Sequence, residues 1–324
     1  MGVIRWGILG AARFALNHMG PAIHVARGAE LVALATSSAA KAGAFQDFAP
    51  QLRVETSYEA LLAADDIDAV YIPLPNHMHV EWSLKALAAG KHVLCEKPIA
   101  LAAPQIDDLI AARKASGRLA AEAFMIVHHP QFLRARDLLA EGVIGRLVHV
   151  DTAFSFFNDD PTNIRNKAST GGGGLRDIGV YTMGATRFLT GKEPVAITHA
   201  NLRYENGFDV FAHFAADFGD FTFGSVVSTR MFTRQEIVLH GELGVIRMHC
   251  PFNAGVFDVA SITLEVNGQS RETMRWPQVN QYVLQVEAFC RSVQGSEAYA
   301  CPLEFSRGTQ KMMDMVFAAG GTSD

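Results

Sequence analysis

The segment Val3-Ile4-Arg5-Trp6-Gly7-Ile8-Leu9-Gly10-Ala11-Ala12-Arg13-Phe14-Ala15 decides the fold. Residues 3–9 form a mostly apolar run of strand length, Gly10-Ala11-Ala12 supply a tight turn of small residues, and a helical pattern continues through His18 to residue 27. A second apolar run at 30–36 follows at once, and a third at 69–74 comes after the helix-like stretch 58–64. Strands that alternate with helices are joined by right-handed crossovers into a parallel sheet. A helix over 79–89 closed by Gly90, a strand at 91–95, a helix at 104–116 and a strand at 119–123 complete a doubly wound sheet of about six strands. The expected first domain is 1–122.

Beyond this point the pattern changes. A helix at 132–141 ends at Gly142, and period-two runs follow at 147–157, 196–204, 210–218, 221–229, 236–240, 245–248 and 261–266. Such alternation, joined by short Gly or Asn turns, predicts an α+β domain over 123–324 built on an open, mainly antiparallel sheet. Helices near 180–189, 282–294 and 306–318 are expected to cover one face of it. A chain of 324 residues is long for one core, so two domains is the natural division.

Half of the residues are apolar (49%) and a fifth charged (19%), which fits a folded globular protein. The net charge of −5, without long Lys/Arg runs, argues against nucleic acid or an anionic membrane as partner and favours a small polar substrate. Cys95, Cys250, Cys290 and Cys301 lie far apart and read as reduced thiols, and no secretory leader or membrane-length apolar stretch is seen, so the cytoplasm is expected. His77, His79, His128 and His129 are near neighbours, but no carboxylate or thiolate stands at a partner spacing, and no metal is expected.

A turn of small residues between a first strand and a helix lets backbone N–H groups approach a pyrophosphate. Gly10, Ala12 and Ala15 hold the offsets of a Gly-x-Ala-x-x-Ala variant of that turn, so Gly10, Ala11, Ala12, Arg13 and Phe14 are candidate cofactor residues. An acid at the end of the second strand would hold a ribose 2′-hydroxyl and repel a 2′-phosphate. Here Thr36, Ser37 and Ser38 stand there, with Arg13 and Lys41 in reach, which favours NADP over NAD. The same residues also fit a polar loop with no cofactor role.

The stretch Gly90-Lys91-His92-Val93-Leu94-Cys95-Glu96-Lys97-Pro98 carries the next clue: an apolar strand that ends in an acid, a lysine and a proline. Strand ends at the carboxyl edge of a doubly wound sheet face the ligand crevice, and Pro98 restricts the backbone at Lys97. Such an ammonium would hold a substrate hydroxyl and steady the alkoxide formed as hydride leaves carbon.

With these residues and three further segments, the chain resembles the glucose-fructose oxidoreductase, inositol dehydrogenase and rhizopine-catabolism (Gfo/Idh/MocA) family over nearly its whole length. The segments are Trp6-Gly7-Ile8-Leu9-Gly10, Pro75-Asn76-His77-Met78-His79 and Gly172-Gly173-Gly174-Leu175-Arg176-Asp177-Ile178-Gly179-Val180-Tyr181. In the last, Tyr181 stands where the family usually has His, as in its dihydrodiol dehydrogenase and NADP-dependent D-xylose dehydrogenase branch. Glu122-Ala123-Phe124-Met125, His128-His129-Pro130-Gln131 and residues 156–165 are similar to that branch too, whereas Ile126 and Val127 replace its usual Tyr and Arg.

The resemblance implies that Pro75, Asn76, His79 and Glu96 join Lys97 around the cofactor. It also implies that Asp177 orients the substrate and that Tyr181 exchanges the proton. One helical turn puts these last two on a shared face. A phenol needs a nearby cation to act as a base near neutrality, a role open to Lys97. Asn163 and Arg165, in the polar insertion before the glycine run, are candidate substrate residues, and 276–282 a candidate approach from the second domain. The implied activity is hydride transfer between nicotinamide and a hydroxyl or carbonyl carbon of a sugar, polyol or cyclic diol, by a homodimer or a dimer of dimers. The alternatives are a non-catalytic cofactor sensor, as in the family's galactose-pathway repressor, or a lyase or glycosidase that uses NAD transiently.

Overall fold

The computed structural model describes residues 2–268 and 271–321 and divides the chain into two compact units. The first comprises residues 1–125 with 281–307, the second 126–280 with 308–324.

The first unit carries six parallel strands: β1 Ile4–Leu9, β2 Ala29–Ala35, β3 Arg53–Glu55, β4 Ala69–Ile72, β5 His92–Cys95 and β6 Ala120–Glu122. Their spatial order is β3-β2-β1-β4-β5-β6, so the direction of winding reverses between β1 and β4. This is the doubly wound Rossmann arrangement, whose ligand crevice opens at the carboxyl ends where the order reverses. The central strands β4 and β5 are buried on both faces, which is why β4 and residues 93–95 of β5 read as apolar runs. Crossovers run through α1 Gly20–Val25, α2 Ala39–Gln46, α3 Tyr58–Ala63, α4 His79–Ala88 and α5 Ala103–Ser116. Close helix packing depends on small strand residues, since a Cβ on Gly7 would come within 2.6 Å of Leu61 Cδ2.

The second unit holds α6 Pro130–Ala140 and an eight-stranded sheet. The strands are β7 Leu147–Phe157, β8 Ala196–Glu205, β9 Phe208–Asp217, β10 Thr222–Ser228, β11 Arg230–Gly241, β12 Gly244–Met248, β13 Ala260–Val266 and β14 Glu272–Trp276. Their order is β14-β13-β12-β11-β7-β10-β9-β8, antiparallel except for the parallel β7–β10 pair. Ala212, Phe214 and Ala216 of β9 are buried, whereas Phe211, His213 and Ala215 between them are partly or fully exposed. The central helix α7 Val180–Thr190 is buried over most of its length.

One of the late helices departs from the expectation that it covers the second sheet. α8 Gln281–Val293 clusters with the first unit, where Phe289 meets Trp6 with ring centroids 5.0 Å apart. α9 Leu303–Gly320 begins there and continues into the second unit from Gly308. An amphipathic period specifies that a helix has an apolar face and is silent on which surface receives it.

Two buried histidines serve as backbone acceptors: His92 Nδ1 accepts from Leu119 N–H at 2.9 Å, and His129 Nδ1 caps α6 by accepting from Gln131 N–H at 3.1 Å. Burial pushes each down to about 4, with Arg118 adding to the effect at His92. An unfolded histidine takes up its proton near pH 6.5, so these two contribute stability that is intact above about 6.5 and lost as pH falls toward 4. The substitution His129→Asn keeps a capping acceptor and removes the titration. Urea midpoints at about pH 7 and about pH 5 should therefore differ less for His129→Asn than for the parent. An equal loss in both proteins would refute the assignment.

Candidate active site

By topology the carboxyl ends of β1, β2, β4 and β5 share one edge of the parallel sheet. At the end of β1 the backbone turns through Gly10, φ +104°, whose N–H donates to Ala35 O at 3.0 Å. A Cβ there would meet Leu74 Cδ2 at 2.9 Å and Tyr58 Oη at 3.3 Å, so only glycine fits the turn. Helical structure starts at residue 13 and leaves its first amide donors without intrahelical acceptors. It opens through a π turn, Ala15–Met19, before α1. The Phe14 ring packs against His18 and Tyr282 (centroids 4.9 and 5.6 Å), so the predicted approach of 276–282 from the second domain is corrected for Tyr282, which belongs to the first unit.

At the end of β2, Thr36 Oγ1 accepts from Ser38 N–H (3.2 Å) and Ser38 Oγ caps α2 through Lys41 N–H (3.3 Å), while Ser37, Arg13 and Lys41 are exposed. The carboxylate in register beside Ala35, Glu55 on β3, accepts from Arg53 Nε at 2.8 Å. Thr36, Ser37, Ser38 and Lys41 thus stand at or just beyond this strand end, and the acid beside it is paired, a donor set that fits an adenosine 2′-phosphate. Together with the side-chain-free turn at Gly10, they fit a dinucleotide.

Pro75 and Asn76 sit half-buried after β4, in a 3-10 turn over Asn76–Met78. His79 does not line the crevice. It is fully buried, with Nδ1 2.8 Å from Pro98 O and Nε2 2.7 Å from Leu74 O. The two carbonyls favour its imidazolium, but burial is the larger effect and pushes it down to about 4. Its place is behind the Glu96-Lys97-Pro98 corner, where it joins two loops.

That corner is fixed from several directions. Glu96 N–H donates to Ile72 O (3.0 Å), Ala123 N–H to Cys95 O (2.7 Å), and Ile99 N–H to the buried Glu122 Oε1 (2.8 Å). Glu96 accepts from Tyr71 Oη at 2.6 Å and from Lys97 N–H at 3.3 Å. Burial, reinforced by Glu96, pushes the Tyr71 phenol well above its ordinary range, so it remains a donor. Lys97, joined to Pro98 by a cis bond, is half-buried on this frame.

In the second unit the glycine run turns into a helix that opens with a π turn, Leu175–Gly179, continued by α7. Asp177 is buried and accepts from Arg165 Nε at 2.8 Å, which brings two of the predicted substrate residues together. Asn163 Oδ1 accepts from Arg165 N–H at 3.0 Å and orders the loop that presents Arg165. The buried Tyr181 ring packs beside the stacked pair Phe154 and Phe252, centroids 5.8 and 5.9 Å away. Ile126 and Val127, where the branch carries Tyr and Arg, are fully buried.

A family model described as an oxidoreductase family with an NAD-binding Rossmann fold matches residues 4–124, and the GFO/IDH/MocA C-terminal domain matches 132–247. An oxidoreductase of Rhizobium meliloti is 37% identical across 98% of this chain and 96% of its own. The chain belongs to the Gfo/Idh/MocA oxidoreductase family. Another relative, D-xylose 1-dehydrogenase (NADP(+)) 2 of Haloferax volcanii, is 31% identical over 98% of this chain and 97% of its own. Among solved structures, a tyrosine-to-phenylalanine variant of a 3-ketoreductase from Actinomadura kijaniata, in complex with TDP-benzene and NADP, superposes with a TM-score of 0.90. It is 30% identical and covers 98% of each chain.

Sequence reasoning passed over Tyr71 and Asp209 in this Gfo/Idh/MocA protein and gave Glu122 no role. Asp209, at the start of β9, is buried and accepts from Leu175 N–H at 2.6 Å. A Cβ on Gly173, φ +120°, would collide with Asp209 Oδ1, whereas one on Gly191, φ +65°, would meet open space. Gly191→Ala should cost about 1 kcal/mol, and Gly173→Ala at least about 2 kcal/mol more. Thermal unfolding of the two variants tests this, and equal losses would exclude crowding by Asp209 as the reason for the glycine.

Proposed function

We propose that this protein is an NADP-dependent oxidoreductase that interconverts an alcohol and a carbonyl on a sugar, polyol or cyclic diol. The observation that carries the reading is the Lys97 corner, an ammonium on a backbone held on both sides at the carboxyl edge of a Rossmann sheet. In the 3-ketoreductase of Actinomadura kijaniata, the lysine and the tyrosine altered in two solved variants are separated along the chain as Lys97 and Tyr181 are here. Structures of that enzyme contain NADP, and the relative from Haloferax volcanii is an NADP(+) xylose dehydrogenase.

In this reading Gly10, Ala11, Ala12, Arg13 and Phe14 receive the pyrophosphate, and Ser37, Ser38, Arg13 and Lys41 the 2′-phosphate. Pro75, Asn76 and Glu96 border the nicotinamide. The bound nicotinamide supplies or accepts the hydride. Lys97 Nζ donates to the substrate oxygen and stabilises negative charge there, in a setting where a fixed charge exceeds its effect in water. Tyr181 Oη passes its proton to that oxygen in reduction and takes it back in oxidation. Asp177, with Arg165 and Asn163, orients neighbouring hydroxyls. The acid pairs with a guanidinium, so both an acceptor and donors face a polyol. The open sheet of the second unit is the surface on which this reading places self-association into a dimer or a dimer of dimers, and sedimentation measures it.

Lys97→Met and Tyr181→Phe should each lower kcat by about 10²- to 10⁴-fold on aldoses, polyols or trans-dihydrodiols, while NADPH binding changes little. Turnover by either variant at the parent's rate would end the assignment, and cofactor binding without any turnover by the parent would favour a sensor. Ser38→Asp should weaken NADP relative to NAD by about tenfold or more, read as the ratio of the two dissociation constants. An unchanged ratio would remove Ser38 from the phosphate site.

A further inference from the structure

Asp209 is 1% exposed, and the chemistry proposed above leaves it without a part. Its carboxylate accepts from the N–H of Leu175 at 2.6 Å, a donor at the start of the helix that carries Asp177 and Tyr181. Two of the glycines leave room for it: a Cβ on Gly173 would overlap Oδ1, and one on Gly174 would come within 3.3 Å of Oδ2. The contact reaches across 34 residues of sequence and sets where the catalytic helix begins relative to β9.

We propose that Asp209 is a positioning residue, whose ionised carboxylate anchors the opening turn of this helix and thereby aims Asp177 and Tyr181. The inference rests on the dehydrogenase reading for the duties of those two residues. Burial pushes the Asp209 carboxyl up to about 6, and the Leu175 N–H and Arg176 oppose that rise. Of the other groups near this end of the sheet, Tyr204 on β8 is pushed up by burial and by Asp209, and Arg230 on β11 is paired with Glu205.

A carboxyl whose folded value lies above its unfolded one takes up a proton more readily in the folded chain. Ionised Asp209 therefore lowers stability above about pH 6, and this penalty is relieved as the pH falls toward the unfolded value near 4. A charge retained against stability points to a role in activity.

The test uses Asp209→Asn, which keeps one acceptor oxygen without the charge. Hydrogen exchange across residues 172–181 is measured at about pH 5 and about pH 7.5 with correction for intrinsic rates. Local opening of 172–181 leaves Asp209 buried on β9 without its N–H donor, so protection in the parent should be about fivefold to tenfold weaker at the lower pH, the loss of a charge-assisted bond, and weak at both values in Asp209→Asn. Protection that is independent of pH in the parent, or equal in the two proteins, overturns the proposal whether or not the chain proves to be a dehydrogenase. On a turned-over substrate, kcat of Asp209→Asn should fall about tenfold at pH 7.5 and lose its acid limb near 6, with KM and NADPH affinity held. Its unfolding temperature at that pH should equal or exceed the parent's. A large drop in that temperature alongside kcat would reduce Asp209 to a folding cap and refute the aiming role.

Discussion

A lysine at a strand end is useful for chemistry only if its backbone cannot yield, and the buried bonds behind residues 95–100 supply that constraint. His79 reaches the Pro98 carbonyl from α4, Glu122 reaches the Ile99 amide from β6, and Ile72 receives the Glu96 amide from β4. Each partner is itself buried or part of the sheet, so the corner inherits the rigidity of three separate elements. Reactive groups held in this way contribute their binding energy without paying reorganisation at the moment of reaction. The second unit repeats the device with Asp209, a buried acceptor from a neighbouring strand that fixes the start of a functional helix.

Sequence patterns exposed the parts of this design that are local. Each element of the βαβ order, the Gly10 turn and the Glu-Lys-Pro ending lies within a short stretch of chain, where strand length, glycine and proline have direct conformational meaning. The supports behind them were hidden because their partners are distant: 23 residues separate Ile99 from Glu122, and 34 separate Leu175 from Asp209. His79 illustrates the opposite error. A histidine beside Asn76 reads as a ligand, yet its ring is enclosed by two carbonyls, and only tertiary burial distinguishes the two cases. Strands β3 and β14 escaped notice because one is three residues long and the other, Glu272–Trp276, is a largely polar edge.

Electrostatics follow the same division between folding and function. His92 and His129 are neutral acceptors whose burial serves the fold. Asp177 sits against Arg165, and Glu96 against a phenol that keeps its proton. Asp209 stands apart, since its burial works against the ionised form. Sites where local stability is given up in this manner concentrate where geometry must be held for catalysis.

Both helices that open onto proposed functional loops begin with a wide turn, Ala15–Met19 in one unit and Leu175–Gly179 in the other. Such a turn accommodates one residue more than a regular α-helix would. Deleting a single residue from Leu175–Gly179 would let the helix close into an ordinary spiral with the chain on either side left nearly in phase, because the wide turn had absorbed the extra residue. Asp177 and Tyr181, then three or four residues apart, would keep a common side of the cylinder. Length at this point in the chain is thus the freer requirement, and related sequences can carry this helix with one residue fewer.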